Sequence, residues 1–334
     1  GTGSVGGGSV EIDASASSQF VSALLLAAPR MERGLDLRHV GPPVPSSPHI
    51  AMTVEVLRAA GIAVSALASD GSPAGLPSSA RPGRPAARWT VEPGTPRLGD
   101  VTVEADLSNA GPFLAAAMVT GGRTAVLDWP ARTAQGGEAL RGIFTAMGGR
   151  AAYDPDASTL RLQGPHRIAP LDADMHDVGE LVPTVAAVAA FADGPSRLRN
   201  IGQLRAHETD RLAAIAAELA RAGGSARIEG DDLVIQARPL RGARLESYAD
   251  HRMATFGAIL GLRVEGIEVA GVETTAKTFP QFTDMWSELA CAPGTGAAFD
   301  PDGEQRAPTP GGSRPRLIEP AAPGVGFTDG ELPA

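Results

Sequence analysis

The chain has 334 residues and a formal net charge of −9, with 43% apolar but only 4% aromatic residues. This length predicts one large or two medium domains, with a core built from Ala, Val, Leu and Ile. The acidic balance argues against a general nucleic-acid surface, and the longest apolar stretches are about half of what a bilayer span needs. A single cysteine, Cys291, excludes an internal disulfide framework and fits a reducing cytoplasm.

One pattern of predicted elements recurs along the chain. A strand leads into an Ala-rich helix, then a second strand and an amphipathic helix stopped by glycine precede two short strands. The first copy has strands at 10–13 and 35–40 and helices at 20–28 and 50–60; later copies begin at strands 101–106, 168–174 and 248–250, and a last helix spans 281–291. Spacings of 68 and 76 residues between Asp106, Asp174 and Asp250 suit a β-α-β-α-β-β unit.

We therefore predict an α/β (α+β) fold of repeated β-α-β-α-β-β units in two domains. Residues 1–104 would be the last unit of an incomplete N-terminal domain, with a Gly-, Pro- and Ser-rich loop inserted at 69–96. Residues 105–292 would form a C-terminal domain of three units. Segment 293–334 is predicted to be disordered, because it has too little apolar content to offset the entropy of ordering.

Hydroxyl and amide groups cluster where the first two predicted helices begin. Ser17, Ser18 and Gln19 precede the first helix, and Ser46 precedes the second. Backbone N–H groups and the helix dipole favour anions at such positions. Capping is the alternative, but it needs only one such residue and explains Ser46 more easily than the first cluster.

Ionisable groups cluster at later helix starts. His207, Glu208 and Arg211 head one helix, and His251 and Arg252, preceded by Asp250, head another that is otherwise apolar. Ionisable groups leading into a buried helix are costly unless they face a cleft. A surface ion pair between Glu208 and Arg211 is the alternative for the first group.

Two isolated charges complete the candidate set. Glu180 is the lone acid of the apolar segment 178–190, where pairing with the helix dipole is the alternative role. Lys277 is the only lysine beside 28 arginines. An ammonium can approach a reacting centre more closely than a guanidinium, which favours a functional role for Lys277. The alternative is that one lysine codon escaped replacement by arginine by chance. The inventory suits two anionic substrates and acid–base chemistry, with no cofactor and no metal predicted.

At these residues the sequence resembles the enolpyruvylshikimate-phosphate synthase (3-phosphoshikimate 1-carboxyvinyltransferase) family. The matching strings are Ser-Ser-Gln-Phe at 17–20, Ser-Ser-Pro-His at 46–49, His-Glu-Thr-Asp-Arg-Leu at 207–212, Asp-His-Arg-Met-Ala at 250–254 and Ala-Lys-Thr-Phe-Pro at 276–280. They fall in family order. The resemblance implies the two-domain enolpyruvyl transferase fold, an inside-out α/β barrel of repeated units, with one domain incomplete here.

The resemblance also implies roles for these residues. Ser17, Ser18, Gln19, Ser46, Gln203 and His207 would hold shikimate 3-phosphate, and Arg211, Arg252 and Lys277 would grip phosphoenolpyruvate. Glu180, Glu208, Lys277 and His251 would be catalytic. Many members have Asp at the position of Glu180 and Lys at the position of His207, so both exchanges put the exact geometry in doubt more than the chemistry.

The implied activity is transfer of the enolpyruvyl group from phosphoenolpyruvate to the 5-hydroxyl of shikimate 3-phosphate, a step toward the aromatic amino acids. The implied protein is a cytoplasmic monomer with small-molecule substrates and neither nucleic-acid nor membrane partners. If the chain follows the family pattern, further repeat units would precede Gly1, so we expect the chain alone to be inactive. The alternatives are an inactive homologue and a UDP-N-acetylglucosamine enolpyruvyl transferase, which lacks the His-Glu-Thr-Asp-Arg string.

Overall fold

The computed structural model describes residues 5–74, 86–291 and 326–328, and the chain divides into two compact units. The first unit comprises Gly1–Leu107, Pro130–Ala139 and Asp174–Gly179. The second comprises Ser108–Trp129, Leu140–Ala173 and Glu180–Ala334. Among the described residues, no helix combines the length and the apolar composition that a bilayer span requires.

The first unit contains one copy of the repeated pattern. Its elements are β1 (Gly8–Ile12), α1 (Gln19–Ala27), β2 (Leu35–His39), α2 (Ser47–Ala59), β3 (Val64–Leu67) and β4 (Arg88–Val91). The sheet order is β1-β2-β4-β3, with β1 parallel to β2 and the other pairs antiparallel. The buried side chains of Leu35, Leu37, Trp89 and Val91 alternate along β2 and β4, so one face of this sheet packs on α1 and α2.

The second unit contains three further groups of elements. The first has α3 (Leu107–Thr120), β5 (Arg123–Val126), α4 (Ala139–Ala146), β6 (Arg150–Asp154) and β7 (Thr159–Gln163). The next has β8 (Asp172–Asp174), α5 (Val182–Ala189), β9 (Ser196–Arg199), α6 (Arg211–Arg221), β10 (Ser225–Glu229) and β11 (Asp232–Gln236). The last has β12 (Ala243–Glu246), α7 (His251–Gly261), β13 (Ile267–Ala270) and α8 (Phe282–Cys291), with β14 (Gly326–Thr328) beside it.

The strand orders confirm that the chain is built from repeats. The sheet of the third group runs β8-β9-β11-β10, which is the order of β1-β2-β4-β3 with each strand replaced by its counterpart. The order β5-β7-β6 is the same sheet without a first strand, and β12 lies parallel to β13 as β1 lies parallel to β2. The same hydrophobic pattern has therefore folded into the same topology.

The first helix of the later groups is the more deeply buried one. Every residue of α5 is buried, and in α7 only Arg252 is partly exposed. Both helices contain several Ala and β-branched residues, and α7 also has two glycines, so α5 and α7 can pack closely on each other. The second helices, α4 and α6, are amphipathic, and α6 packs on β10.

Three local predictions are wrong. Residues 101–106 form no strand. The predicted loop 69–96 is interrupted by β4, where Trp89 and Val91 supply an alternating apolar face that Pro and Gly nearby had masked, and its residues 75–85 lie outside the described residues. Residues 248–250 form a turn, because the fourth group's strand ends at Glu246 and Tyr248 and Ala249 both adopt left-handed backbone angles.

Two further predictions differ in part from the structure. The predicted helix 178–190 begins as a 3-10 turn, His176–Leu181, and becomes α-helical only at Val182. Within the segment expected to be disordered, β14 pairs in parallel with β13, and the rest of that segment lies outside the described residues.

Candidate active site

In the last repeat, two polar segments are brought to one edge of the sheet. Because β12 and β13 are parallel, the residues that follow them lie at the same edge. Asp250, His251 and Arg252 follow β12 at the start of α7, and Lys277 ends the 3-10 turn Val272–Lys277 that follows β13. Residues 26 positions apart in sequence thus become neighbours.

A buried ion pair joins two of the clusters seen in the sequence. Arg211 Nε lies 2.7 Å from Asp250 Oδ2, and a second guanidinium nitrogen, Nη2, lies 3.1 Å from Oδ1. The two side chains are 4% and 0% exposed. Burial by itself would raise the pKa of Asp250, but the hydrogen bonds and charge of Arg211 outweigh it and hold this pKa below its ordinary value. Asp250 also accepts a hydrogen bond from the Arg252 backbone N–H at 2.8 Å, which caps α7.

Glu208 lies between a lysine and a histidine. Lys277 Nζ donates a hydrogen bond to its Oε1, and His251 Nδ1 lies 3.3 Å from its Oε2. Burial opposes ionisation of Glu208, but the hydrogen bond and the charge of Lys277 contribute against it, and its pKa is lowered. Glu208 is therefore a carboxylate at neutral pH, with a proton donor in contact.

His251 is held in its neutral form. Burial lowers its pKa most, and the charge of Arg252 lowers it further, against the opposing carboxylates of Glu208 and Asp250. Its side chain is 10% exposed. A neutral imidazole beside Glu208 adds no charge that would compete with Lys277.

Arg252 is anchored at the start of α3. Its Nη1 donates a hydrogen bond to the Ser108 carbonyl at 3.0 Å. Together with His251 it lines a small cleft, partly open to solvent, whose other walls include Asn109, Thr278 and Phe282. The guanidinium thus lies beside a shallow opening at the start of α7.

The first unit presents its predicted residues at one edge as well, because β1 and β2 are parallel. Ser17 Oγ, one residue before the N-cap position, accepts a hydrogen bond from the Gln19 backbone N–H at 3.2 Å. Ser18 is 3% exposed and makes no capping bond with its side chain. Ser46 stands at the start of α2 with a left-handed φ of 54° and likewise makes no side-chain cap.

The cap of α2 comes from a residue that the sequence did not single out. Asp177 Oδ1 accepts hydrogen bonds from the Ser47 backbone N–H at 3.2 Å and from Ser47 Oγ at 2.8 Å. Although burial would raise the pKa of Asp177, hydrogen bonds from His176 and Ser47 hold it low. A carboxylate therefore already occupies the first turn of α2, and no signal in the sequence links positions 130 residues apart.

The remaining predicted residues lie in the second unit. Glu180 is buried in the 3-10 turn before α5, Gln203 is half-buried in the 3-10 turn Gly202–Ala206, and His207 is exposed just after it. The structure brings Glu208, His251 and Lys277 into contact and Arg211 against Asp250. Asp250, to which the sequence assigned no separate role, is thus central to the cluster; its position one residue before an apolar helix was the available signal.

Glu208, Asp250 and His251 also have the composition of a metal site. One ligand atom from each lies within 4.8 Å of the others. Each carboxylate, however, already pairs with a cation, Lys277 or Arg211. We therefore assign these groups to ion pairing.

Comparison with known proteins identifies the class to which this fold belongs. The family EPSP synthase (3-phosphoshikimate 1-carboxyvinyltransferase) matches residues 2–286. Solved structures of EPSP synthase from Acinetobacter baumannii share the fold, at 22% and 21% identity with TM-scores of 0.65 and 0.64, over 86% of this chain and 63% of theirs. The enolpyruvyl transferase NikO from Streptomyces tendae is similar in fold, at 16% identity and a TM-score of 0.52, over 76% of this chain and 55% of its own.

A curated relative narrows the assignment. The 3-phosphoshikimate 1-carboxyvinyltransferase of Kocuria rhizophila is 50% identical over 295 residues, which are 88% of this chain and 62% of the relative. The chain belongs to the EPSP synthase family. It spans less than two thirds of the length of this relative.

Proposed function

We propose that the protein transfers the enolpyruvyl group of phosphoenolpyruvate to the 5-hydroxyl of shikimate 3-phosphate, with release of phosphate. The observation that carries the proposal is the contact of Lys277, Glu208 and His251 beside Arg252. This arrangement combines a proton donor, a carboxylate base and two cations at one sheet edge, which is what two phosphorylated substrates and a proton-transfer reaction require.

Each substrate is assigned its own set of residues in this proposal. Arg252 and Lys277 would grip the phosphate and carboxylate of phosphoenolpyruvate, and Arg211 would contribute from its place against Asp250. Shikimate 3-phosphate would be held by the hydroxyl, amide and imidazole groups of Ser17, Ser18, Gln19, Ser46, Gln203 and His207. Arginine and lysine suit these ligands because both form charge-assisted hydrogen bonds to phosphate oxygens.

The first chemical step is an addition. Because Glu208 is ionised and accepts a hydrogen bond from Lys277, the ammonium is the better proton donor to the C3 methylene of phosphoenolpyruvate. The 5-hydroxyl oxygen bonds to C2 while Glu180 accepts the hydroxyl proton. The product is an adduct that is tetrahedral at C2, and the nearby guanidinium groups stabilise the charge that develops.

The second step is an elimination. A C3 proton returns to the Lys277–Glu208 pair, the C2–O bond to phosphate breaks, and the double bond forms again. The departing phosphate takes the proton held by Glu180. Protons and charges therefore balance without a redox partner.

Binding to the chain itself is the direct test. Titration of phosphoenolpyruvate, followed by phosphorus NMR, should show affinity that falls at least about tenfold in Lys277→Met and Arg252→Gln, since each loses a charge-assisted contact. Glu273→Gln is the matched control for a charge change in the same 3-10 turn, because Glu273 is exposed there. Absence of binding by the unaltered chain, or equal binding by all variants, would refute the proposal.

Turnover gives the second test. Phosphate release with both substrates is compared in this chain and in one extended upstream to the length of the relative. In whichever is active, Lys277→Met and Glu208→Gln should each lower kcat at least about a hundredfold, whereas Glu273→Gln should not. Near-normal rates would remove both residues from these roles, and product formed with UDP-N-acetylglucosamine instead of shikimate 3-phosphate would redirect the assignment.

The proposal extends to the cellular location and the oligomeric state of the protein. A net charge of −9 and one cysteine fit a cytoplasmic monomer that binds small anions through a local basic cluster and does not bind nucleic acid. Light scattering during gel filtration tests the monomer, and a mass of twice the chain would contradict it.

A further inference from the structure

The turn that carries His251 and Arg252 has an unusual backbone. Between β12 and α7, Tyr248 and Ala249 have φ values of 56° and 54°. Residues other than glycine rarely adopt this left-handed region, and two in succession persist only where surrounding contacts impose them. The contacts that impose this turn therefore also fix the position of Arg252 at the start of α7.

Helix α6 supplies those contacts from one face. Arg211 and Glu218 are seven residues apart, which is two helical turns, so both project from the same side of α6. Arg211 pairs with Asp250 at the end of the turn. Two turns further along, Glu218 Oε1 accepts a hydrogen bond from Tyr248 Oη at 2.6 Å, and Oε2 accepts one from the Glu246 backbone N–H at 3.1 Å.

The Glu218 carboxylate is fully buried and plays no part in the proposed reaction. Its side chain is 0% exposed, and Arg221 Nε provides a third donor at 3.0 Å. Burial of a charge is costly unless donors surround it. This carboxylate is satisfied by three donors, two of which belong to the strand end and turn that lead into α7.

We propose that Glu218 and Tyr248 are positioning residues that hold the 246–250 turn so that Arg252 meets phosphoenolpyruvate. The inference rests on the proposed function, because it takes Arg252 as a phosphoenolpyruvate ligand. Tyr248 Oη and the Glu218 carboxylate act through the turn and do not touch the substrate.

Tyr248→Phe is the direct test, because it removes one oxygen and leaves the ring. The chain has two tyrosines, and Tyr153→Phe is the matched control: it removes a phenol that donates to the Trp129 carbonyl at 3.4 Å in the same unit. We expect Tyr248→Phe to weaken phosphoenolpyruvate binding roughly tenfold, since small displacements of binding groups are costly. Affinity for shikimate 3-phosphate should change less than about twofold in either variant.

A second variant pair separates positioning from general stability. In an Arg252→Gln background, Tyr248→Phe should weaken phosphoenolpyruvate binding no further, because the group that it positions is gone. Glu218→Gln, if it folds, should reproduce the effect of Tyr248→Phe on the unaltered chain. Additive losses in the double variant, or equal affinities of Tyr248→Phe and Tyr153→Phe, would overturn the inference. If the unaltered chain binds no phosphoenolpyruvate, the proposed function has failed instead, so the two failures are distinguishable.

Discussion

Asp250→Asn offers the sharpest test of the buried cluster. The substitution removes the charge that faces Arg211 but keeps an oxygen that can accept the Arg252 backbone N–H. The Arg211 side chain is 4% exposed, so its guanidinium would remain buried without a counter-ion. Breaking a buried pair in this way costs about 3–5 kcal/mol in free energy of unfolding. Asp250→Ala would also lose the cap and should cost about 1 kcal/mol more.

Urea unfolding followed by tryptophan fluorescence measures these losses, because Trp129 and Trp286 are both buried in the second unit. Arg211→Met alone should be destabilising by a similar amount, since it leaves the Asp250 charge unpaired. The double variant Arg211→Met with Asp250→Asn should lose clearly less than the sum of the single losses. Additive losses would refute the reasoning, because they would mean that the two charges do not interact.

The pH dependence has a definite sign. The pKa of Asp250 is lower in the folded protein than the ordinary aspartate value of about 3.9. Stabilisation from the pair is therefore fully present above that ordinary value and is lost as the pH falls through the folded pKa. The stability difference between the unaltered chain and Asp250→Asn should stay constant from about pH 5 upward and narrow below about pH 4. A difference that narrows instead toward high pH would show that another group is responsible.

Three further expectations can be checked by the same urea unfolding. Arg88→Gln should change the free energy of unfolding very little, and less in high salt, because its pair with Asp36 is 41% and 31% exposed. Ala249→Gly should raise the free energy of unfolding by up to about 1 kcal/mol, because glycine adopts the left-handed φ without steric cost; a loss would mean that the turn is not strained. Leu25→Ala should cost about 2–5 kcal/mol, since Leu25 is fully buried in the first unit's core, and a value below about 1 would contradict that packing.

Much of the fold was readable from the sequence because the repeat is written in local patterns. Apolar periodicity and the glycine stops placed α1, α2, α6 and α7 within a few residues. Errors occurred where local signals were weak or conflicting. Strand β4 was missed because Pro and Gly dominate its neighbourhood, and Tyr248 was placed in a strand because its left-handed φ is imposed by Glu218, a contact across 30 residues.

The sequence by itself determined the chemical inventory: hydroxyls and charges at helix starts, one lysine, and the order of the motifs. Residue type and periodicity carry that information because capping and burial act over a few neighbouring positions. Only the tertiary structure decided the pairings, namely Lys277 with Glu208, Arg211 with Asp250, and Ser47 with Asp177. Ionic partners are chosen by distance in space, and parallel strands separated by whole helices are what bring these positions together.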